Sequence, residues 1–275
     1  MPELPETETI ARDLDRAISG DAIVDVRVTR KDVLREVTAA GLRDRVVGSS
    51  IVRTWRRAKL IVLDLSSADR IVVQPRFTGA LLVDAGDLPD AERAYSTLAF
   101  RLEDGRSLHY RDIRRLGTVA LMAPQRFAAY LAGLGIEPLD PAFTVEHLSG
   151  LLRGSRQAVK KVLMDQRRVV GVGNIYANEA LWRAGIDPSR EARSIAAGEG
   201  ARLRDAIVAV LTESIAARGT SFRDYLDASG RKGSFVERLA VYGRGGQPCV
   251  RCGARLVDTQ AVDGRTTVFC ARCQG

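Results

Sequence analysis

Apolar residues recur every four positions at Ile10, Leu14 and Ile18 and stop at Gly20, the spacing of one buried helix face with its terminator. Pro5 suits the first turn of such a helix, where a missing N–H costs nothing. From residue 22 the period shortens to two. Val24, Val26 and Val28 alternate with charged residues. Short runs at Ile51 to Trp55, Leu60 to Leu65, Ile71 to Val73, Ala80 to Val83, Leu98 to Leu102 and Thr118 to Met122 are broken by Gly, Asp and Ser, the signature of strands. Many short antiparallel strands predict a sandwich or barrel. Pro124, Pro138 and Pro141 then flank a short helical run, and GLGIEPLDP reads as a connector. From Thr144 the helical period returns over about 144–153, 155–166, 174–184 and 194–217. The polar stretch GTSFRDYLDASGRKGSF that follows is long for a loop inside a compact domain, which marks it as functional or disordered.

These patterns predict an α+β chain of several domains: an N-terminal domain at 1–135, a linker at 136–143, a helical domain at 144–238 carrying the loop at about 220–235, and a tail at 239–275. With 275 residues, 45% of them hydrophobic, the chain can bury a real core. No run approaches the roughly 20 apolar residues of a membrane span, and the N-terminus is acidic and polar, so neither a membrane anchor nor a signal peptide is expected and the compartment is read as the cytoplasm. The formal charge is +8, but residues 1–150 hold 21 basic and 22 acidic groups while 151–275 hold 21 and 12. A basic half joined to a near-neutral half suits a polyanion gripped by one part and worked on by the other.

All four cysteines lie in the tail, as Cys249-x2-Cys252 and Cys270-x2-Cys273 with seventeen residues between the pairs. Two such knuckles read as one tetrahedral Zn2+ site. Paired disulfides are the rival, disfavoured by the lack of a secretory segment. Four thiolates leave no open coordination position, so the metal is structural. It would stiffen a hairpin whose tip carries Arg265, placed either as a phosphate contact or as a solvated turn residue. Gly171-Val172-Gly173-Asn174 joins two helices, and Asn174 sits where an N-cap would be, so N–H groups and an amide converge on a spot suited to an anion. A plain helix-turn-helix corner uses the same residues. Glu179 follows in the next helix, where position alone leaves open whether it caps, pairs or faces solvent.

The N-terminus carries the sharpest chemistry. Loss of Met1 would expose the secondary amine of Pro2, whose reference pKa of about 8 leaves a sizeable unprotonated fraction near neutrality. An amine beside the carboxyl of Glu3 is the minimum equipment for attacking an acetal carbon while protonating the departing oxygen. An ordinary helix start with acidic residues in its first turn is the alternative.

PELPETE at the N-terminus, RRAKL around Lys59, RDIRRLG at 111–117, DQRRVVGVGNIYANEAL at 165–181, DASGRKGSF followed by VYGRGG, and the closing GRTTVFCARCQ together resemble, in order and over the whole chain, the bacterial formamidopyrimidine-DNA glycosylases. The resemblance implies a β-sandwich with a catalytic N-terminal helix, a helix-two-turn-helix domain and a zinc finger. It implies a glycosylase and abasic-site lyase that removes oxidised purines such as 8-oxoguanine and formamidopyrimidines and nicks the strand by β,δ-elimination. Damaged or abasic duplex DNA is the expected partner. No organic cofactor and no membrane are expected, and the protein is taken as a monomer in the bacterial cytosol, with the nucleoid. On this resemblance Pro2 is the nucleophile, Glu3 the general acid and Lys59 a lysine beside the lesion phosphate. Asn174 and Arg265 are phosphate clamps, and Arg114 contacts the orphaned partner base. Glu6 lines the damaged-base pocket, with Glu179 placed beside it, and 220–235 is a lid.

Two segments depart from the family pattern. Where relatives carry HLxM[ST]G this chain has QPRFTG, so Gln74 replaces a phosphate-binding histidine and Phe77 a void-filling methionine. Where they carry DPRRFG it has DIRRLG, so Leu116 replaces the wedge aromatic. The partner-base preference is therefore open. An endonuclease VIII-like enzyme acting on oxidised pyrimidines is one alternative, and a non-catalytic DNA-binding paralogue is another. Leu4 favours the purine enzyme over the first, and retention of Pro2, Glu3 and Lys59 argues against the second.

Overall fold

The computed structural model describes residues 2–222 and 225–275 and divides into two compact units, Met1–Ala132 with Ala217–Val236, and Gly133–Ala216 with Glu237–Gly275. The first break falls at Ala132, just ahead of the expected linker. The segment 217–236, which the sequence assigns to the helical domain, packs with the first unit.

The first unit opens with α1 (Leu4–Ile18), followed by β1 (Ile23–Val28), β2 (Leu34–Arg35), α2 (Ala39–Val46), β3 (Ile51–Arg57), β4 (Leu60–Leu65), β5 (Arg70–Gln74) and β6 (Gly79–Asp84). It continues through α3 (Asp90–Arg93), β7 (Ser96–Leu102), β8 (Ser107–Asp112), β9 (Thr118–Met122) and α4 (Pro124–Leu131). Two sheets result, one ordered β1-β7-β8-β6 and the other β2-β9-β5-β4-β3. Pairing is antiparallel except for the short parallel contact of β2 with β9. Both sheets turn apolar residues into one core. Ile61, Leu63, Ile71 and Val73 of one meet Leu98, Phe100, Leu108 and Tyr110 of the other, and Ile10, Leu14 and Ile18 of α1 join them. The four-residue spacing read in the sequence is thus the buried face of α1. β8 escapes the sequence reading because its alternation rests on only Leu108 and Tyr110 between polar neighbours. Tyr225 and Ala228 belong to the same core, and the Val83 N–H of β6 bonds the Ala228 carbonyl at 3.1 Å.

The second unit holds α5 (Val145–Arg153), α6 (Val159–Met164), α7 (Asn174–Ala184) and α8 (Ala197–Ala216), then the hairpin β10 (Val257–Thr259) and β11 (Thr267–Phe269). α7 ends on Gly185 at φ 72°, a left-handed stop open to glycine at no steric cost. No helix among the described residues is long and apolar enough to cross a membrane.

Candidate active site and nucleic-acid interface

Pro2 and Glu3 lead directly into α1 and both are buried. Glu3 is the N-cap. Its N–H donates to Glu6 Oε2 at 2.8 Å, and its carbonyl accepts from the Thr7 hydroxyl at 2.8 Å. The chain leaving Pro2 is therefore held by the first turn. Met1 lies outside the described residues. Glu6 is wholly buried, and its second oxygen, Oε1, accepts the Thr220 N–H at 2.8 Å. Gly219, at φ 86°, lets the backbone come this close, since a Cβ there would lie 3.0 Å from Glu6 and 3.1 Å from Tyr225. Tyr225 closes the corner by donating to the Arg218 carbonyl at 3.1 Å. Burial, then the nearby Glu6 charge, push its phenol well above its usual range. Arg218, itself left-handed at φ 61°, bridges Asp13 of α1 and Asp227 of the loop. The base of the expected lid is thus tied to the helix that presents Pro2 and Glu3. Arg223 and Asp224 of that loop lie outside the described residues.

Lys59 sits in the two-residue turn joining β3 to β4, beside left-handed Ala58 at φ 55°. Arg56 fixes this turn. Its guanidinium donates to the Ala58 carbonyl at 3.0 Å and to Glu8 Oε2 at 2.7 Å, so the hairpin tip is clamped to α1. Burial works to raise the Glu8 pKa, but the hydrogen bond and charge of Arg56, then those of Arg12, outweigh it and hold the carboxyl below its ordinary value.

Phe77, Ile113 and Leu116 are exposed apolar residues on two neighbouring loops. One buried carboxylate organises both loops. Asp112 Oδ1 accepts the Thr78 hydroxyl, and Oδ2 accepts the Gly117 N–H at 2.8 Å. The same Thr78 oxygen accepts the Arg114 N–H at 3.0 Å, and the Arg114 guanidinium lies 5.2 Å over the Phe77 ring. Gly79 and Gly117 are required here: a Cβ on the second would lie 1.9 Å from the Tyr110 hydroxyl. Arg114 and Phe77 are therefore in contact, and the loop carrying Leu116 is tied through Asp112 to Thr78 beside Phe77. Gln74 ends β5, half-buried, ahead of the same turn.

In the second unit Gln166 shapes the glycine turn, donating to the Val172 carbonyl at 2.9 Å and accepting the Gly171 N–H at 2.9 Å. Gly173, not Asn174, is the N-cap of α7. Asn174 is the first helical residue, and its amide instead donates to the Thr266 carbonyl at 2.9 Å. Thr266 is the residue that follows exposed Arg265 in the chain. Asn178 accepts the Val268 N–H at 2.9 Å and holds the same hairpin. Lys160, passed over in the sequence, is wholly buried. Its ammonium donates to Thr266 O at 3.1 Å and Thr267 Oγ1 at 2.7 Å, with Asp263 at 3.9 Å. The available signal was its place among Val159, Val162 and Leu163 on a helix that buries that face.

Glu179, placed in the lesion pocket from the sequence, has another task. It is wholly buried, and its oxygens accept the N–H groups of Ala240, Val241 and Tyr242 at 2.8–2.9 Å. Burial raises its pKa against the pull of those three donors.

The sulfur atoms of Cys249, Cys252, Cys270 and Cys273 all lie within 4.8 Å of one another, with Cys252 and Cys270 at 3.5 Å. Zn–S bonds of about 2.3 Å in a tetrahedron place sulfurs roughly 3.8 Å apart, so the four residues fit one structural Zn2+. Val241, Leu256 and Val268 pack around them.

The chain matches the formamidopyrimidine-DNA glycosylase N-terminal domain over residues 1–119, the H2TH domain of that enzyme over 134–225, and a zinc finger found in FPG and IleRS over 246–275. It is 40% identical to the formamidopyrimidine-DNA glycosylase of Desulforamulus reducens over 100% of this chain and 99% of that one. It is 42% identical to the enzyme of Xanthomonas campestris pv. campestris over 100% of both. Among solved structures, a Lactococcus lactis FPG variant bound to Fapy-dG-containing DNA superposes with a TM-score of 0.92 at 31% identity, covering 99% of each chain. The Thermus thermophilus MutM (FPG) protein gives 0.87 at 35%, covering 100% of this chain and 99% of that one. With its sandwich, helical domain and four-cysteine finger, this chain belongs to the formamidopyrimidine-DNA glycosylase family and is a zinc-containing DNA glycosylase of DNA repair.

Proposed function

We propose that the protein excises oxidised purines, 8-oxoguanine and formamidopyrimidines among them, and then cleaves the abasic strand by β,δ-elimination, acting as a monomer in the cytoplasm. Pro2 is the nucleophile: freed of Met1, its nitrogen lone pair attacks C1′ of the damaged nucleotide. The C1′–N bond to the base breaks with its electron pair leaving on the base, which takes up the proton released from the Pro2 nitrogen; Glu3 protonates the ring oxygen as the C1′–O4′ bond breaks, and an iminium joins Pro2 to C1′. That cation acidifies the C2′ hydrogen. Loss of the proton expels the 3′ phosphate, a second elimination expels the 5′ phosphate, and hydrolysis returns the amine. The base must first leave the stack, at a cost of a few kcal/mol. Lys59, Gln74, Asn174 and Arg265 grip phosphates, Arg114 takes the orphaned base, and Phe77 with Leu116 fills the gap.

The observation that carries this reading is that Glu3 immediately follows Pro2, with its backbone N–H bonded to Glu6, so amine and acid share one buried helix start. Supporting it, solved complexes of the Lactococcus lactis enzyme contain Fapy-dG or an abasic site. Borohydride added during reaction with an 8-oxoguanine duplex should trap a covalent protein–DNA adduct at Pro2. Protein shown to lack Met1 that gives no adduct with any oxidised base or abasic site would rule the reading out. The exposed Phe77 and Leu116, at positions where relatives carry other residues, favour keeping an oxidised-pyrimidine specificity in view, and a panel of lesions opposite each of the four bases separates the two.

A further inference from the structure

The outer face of the β1-β7-β8-β6 sheet carries a hollow of about 890 Å³ whose lining includes Arg27, Arg30, Arg93, Tyr95, Ala99, His109 and Arg115. Its floor follows from strand register. Arg27 pairs with Ala99, and Ala99 pairs with His109, so the three lie in one row on one face. The small Ala99 between two large neighbours leaves the depression.

Four guanidinium groups converge on this space. Two are partly neutralised: Arg93 by Asp84 at 3.2 Å and Arg115 by Asp32 at 3.1 Å, where both partners are half exposed. Arg27 and Arg30 have no acidic partner among the described residues. Of the two carboxylates in the lining, Asp112 has its oxygens turned to Thr78 and Gly117, which leaves only exposed Asp90. His109 is not a free donor, because its ring nitrogens face the Ser96 hydroxyl at 2.8 Å and Asp84 at 3.5 Å. The hollow therefore presents unpaired arginines to an anion.

Its position adjoins the wedge. Arg115 is left-handed, at φ 52°, a conformation a bulky residue keeps only when its surroundings demand it. The effect is to divide consecutive side chains, Arg114 lying over Phe77 and Arg115 against Asp32 at the hollow. In the functional reading above, Arg114 meets the orphaned base, so the backbone of that base's strand continues past Arg115.

We propose that this hollow is a phosphodiester subsite for the DNA strand opposite the lesion, with Arg27 and Arg30 as its principal cations; the strand assignment rests on the glycosylase reading. The test is the R27A/R30A double variant, both side chains being exposed and outside the catalytic set. Neutralising two phosphates contributes about 1.8 to the slope of log affinity against log salt, so the slope should become shallower by about that amount while the single-turnover rate on saturating DNA stays unchanged. Neutral methylphosphonate linkages placed one at a time near the orphaned base should weaken wild-type binding and leave the double variant indifferent. An unchanged salt slope overturns the subsite, and sensitivity confined to linkages on the lesion strand overturns its assignment. Borohydride trapping on the same samples keeps the two readings apart: adduct with an unaltered slope refutes the hollow alone, and an altered slope without adduct refutes the chemistry alone.

Discussion

Replacing Asp112 with Asn tests whether one carboxylate holds the two loops that carry Phe77 and Leu116. Both of its oxygens act as acceptors, one for the Thr78 hydroxyl and one for the Gly117 N–H. The carboxamide keeps the shape but offers a single acceptor. If its oxygen stays on Gly117, an NH2 group confronts a hydroxyl that already accepts the Arg114 N–H, and the Thr78 proton loses its place. A hydrogen bond to a charged group contributes about 1.5–3 kcal/mol, and at about 1.4 kcal/mol per decade this is roughly a 10- to 150-fold change in a local opening equilibrium. Native-state hydrogen exchange reads it directly: the Arg114 and Gly117 amides should lose protection by that factor, and strands of the opposite sheet should not. Thr78→Val removes the same link from its other end, so the two changes combined should cost less than their sum, as expected for groups in one network. Unchanged exchange at both amides, or strict additivity, would refute the argument that Asp112 is the support.

Other outcomes follow from the same geometry. The lowered pKa of Glu8 means that its contribution is present above the ordinary carboxylate value near 4.5 and is lost as pH falls through the lower folded value. The stability difference between wild type and Glu8→Gln, followed by urea denaturation against pH, should therefore shrink on acidification, and a constant difference would remove the Arg56 clamp from the account. Stripping Zn2+ with a chelator should cost a large share of the roughly 10–16 kcal/mol that such ions contribute to small domains. It should free the 257–269 hairpin in hydrogen exchange and leave the β4 and β5 amides protected. Phe77→Ala should weaken binding to abasic duplex by about 1–3 kcal/mol, the usual worth of one aromatic stacked on a base; titration with fluorescent duplex measures it, and an unaltered affinity would assign Phe77 to packing with Arg114 only.

The parts legible in the sequence are those whose signal is local. Four-residue spacing gave α1, paired CxxC motifs gave the metal site, and the paired glycines gave the turn before α7. What escaped depends on distant partners. Lys160 went unremarked and position alone left the task of Glu179 open, and each is buried with hydrogen bonds supplied by a backbone segment far along the chain, Thr266 for one and 240–242 for the other. Asn174 was displaced by one position because its amide finds the Thr266 carbonyl in place of its own helix. The grouping of Ala217–Val236 with the first unit escaped for the same reason, since the ties of Arg218 to Asp13 and of Thr220 to Glu6 are contacts across some two hundred residues of sequence.

Glu6 shows how far such a tie constrains chemistry. The resemblance places its carboxylate against the damaged base, but in the structure one oxygen holds the Glu3 N–H and the other the Thr220 N–H. A base N–H that donates to Glu6 must therefore displace one of them or share an oxygen with it. Displacing Glu3 would loosen the helix start that presents Pro2, whereas displacing Thr220 would loosen the loop and leave the nucleophile in place. Displacing Thr220 and sharing an oxygen both leave the Glu3 N–H on Glu6, so under the proposed reading a base held by Glu6 is compatible with a reaction at Pro2 by either of these routes.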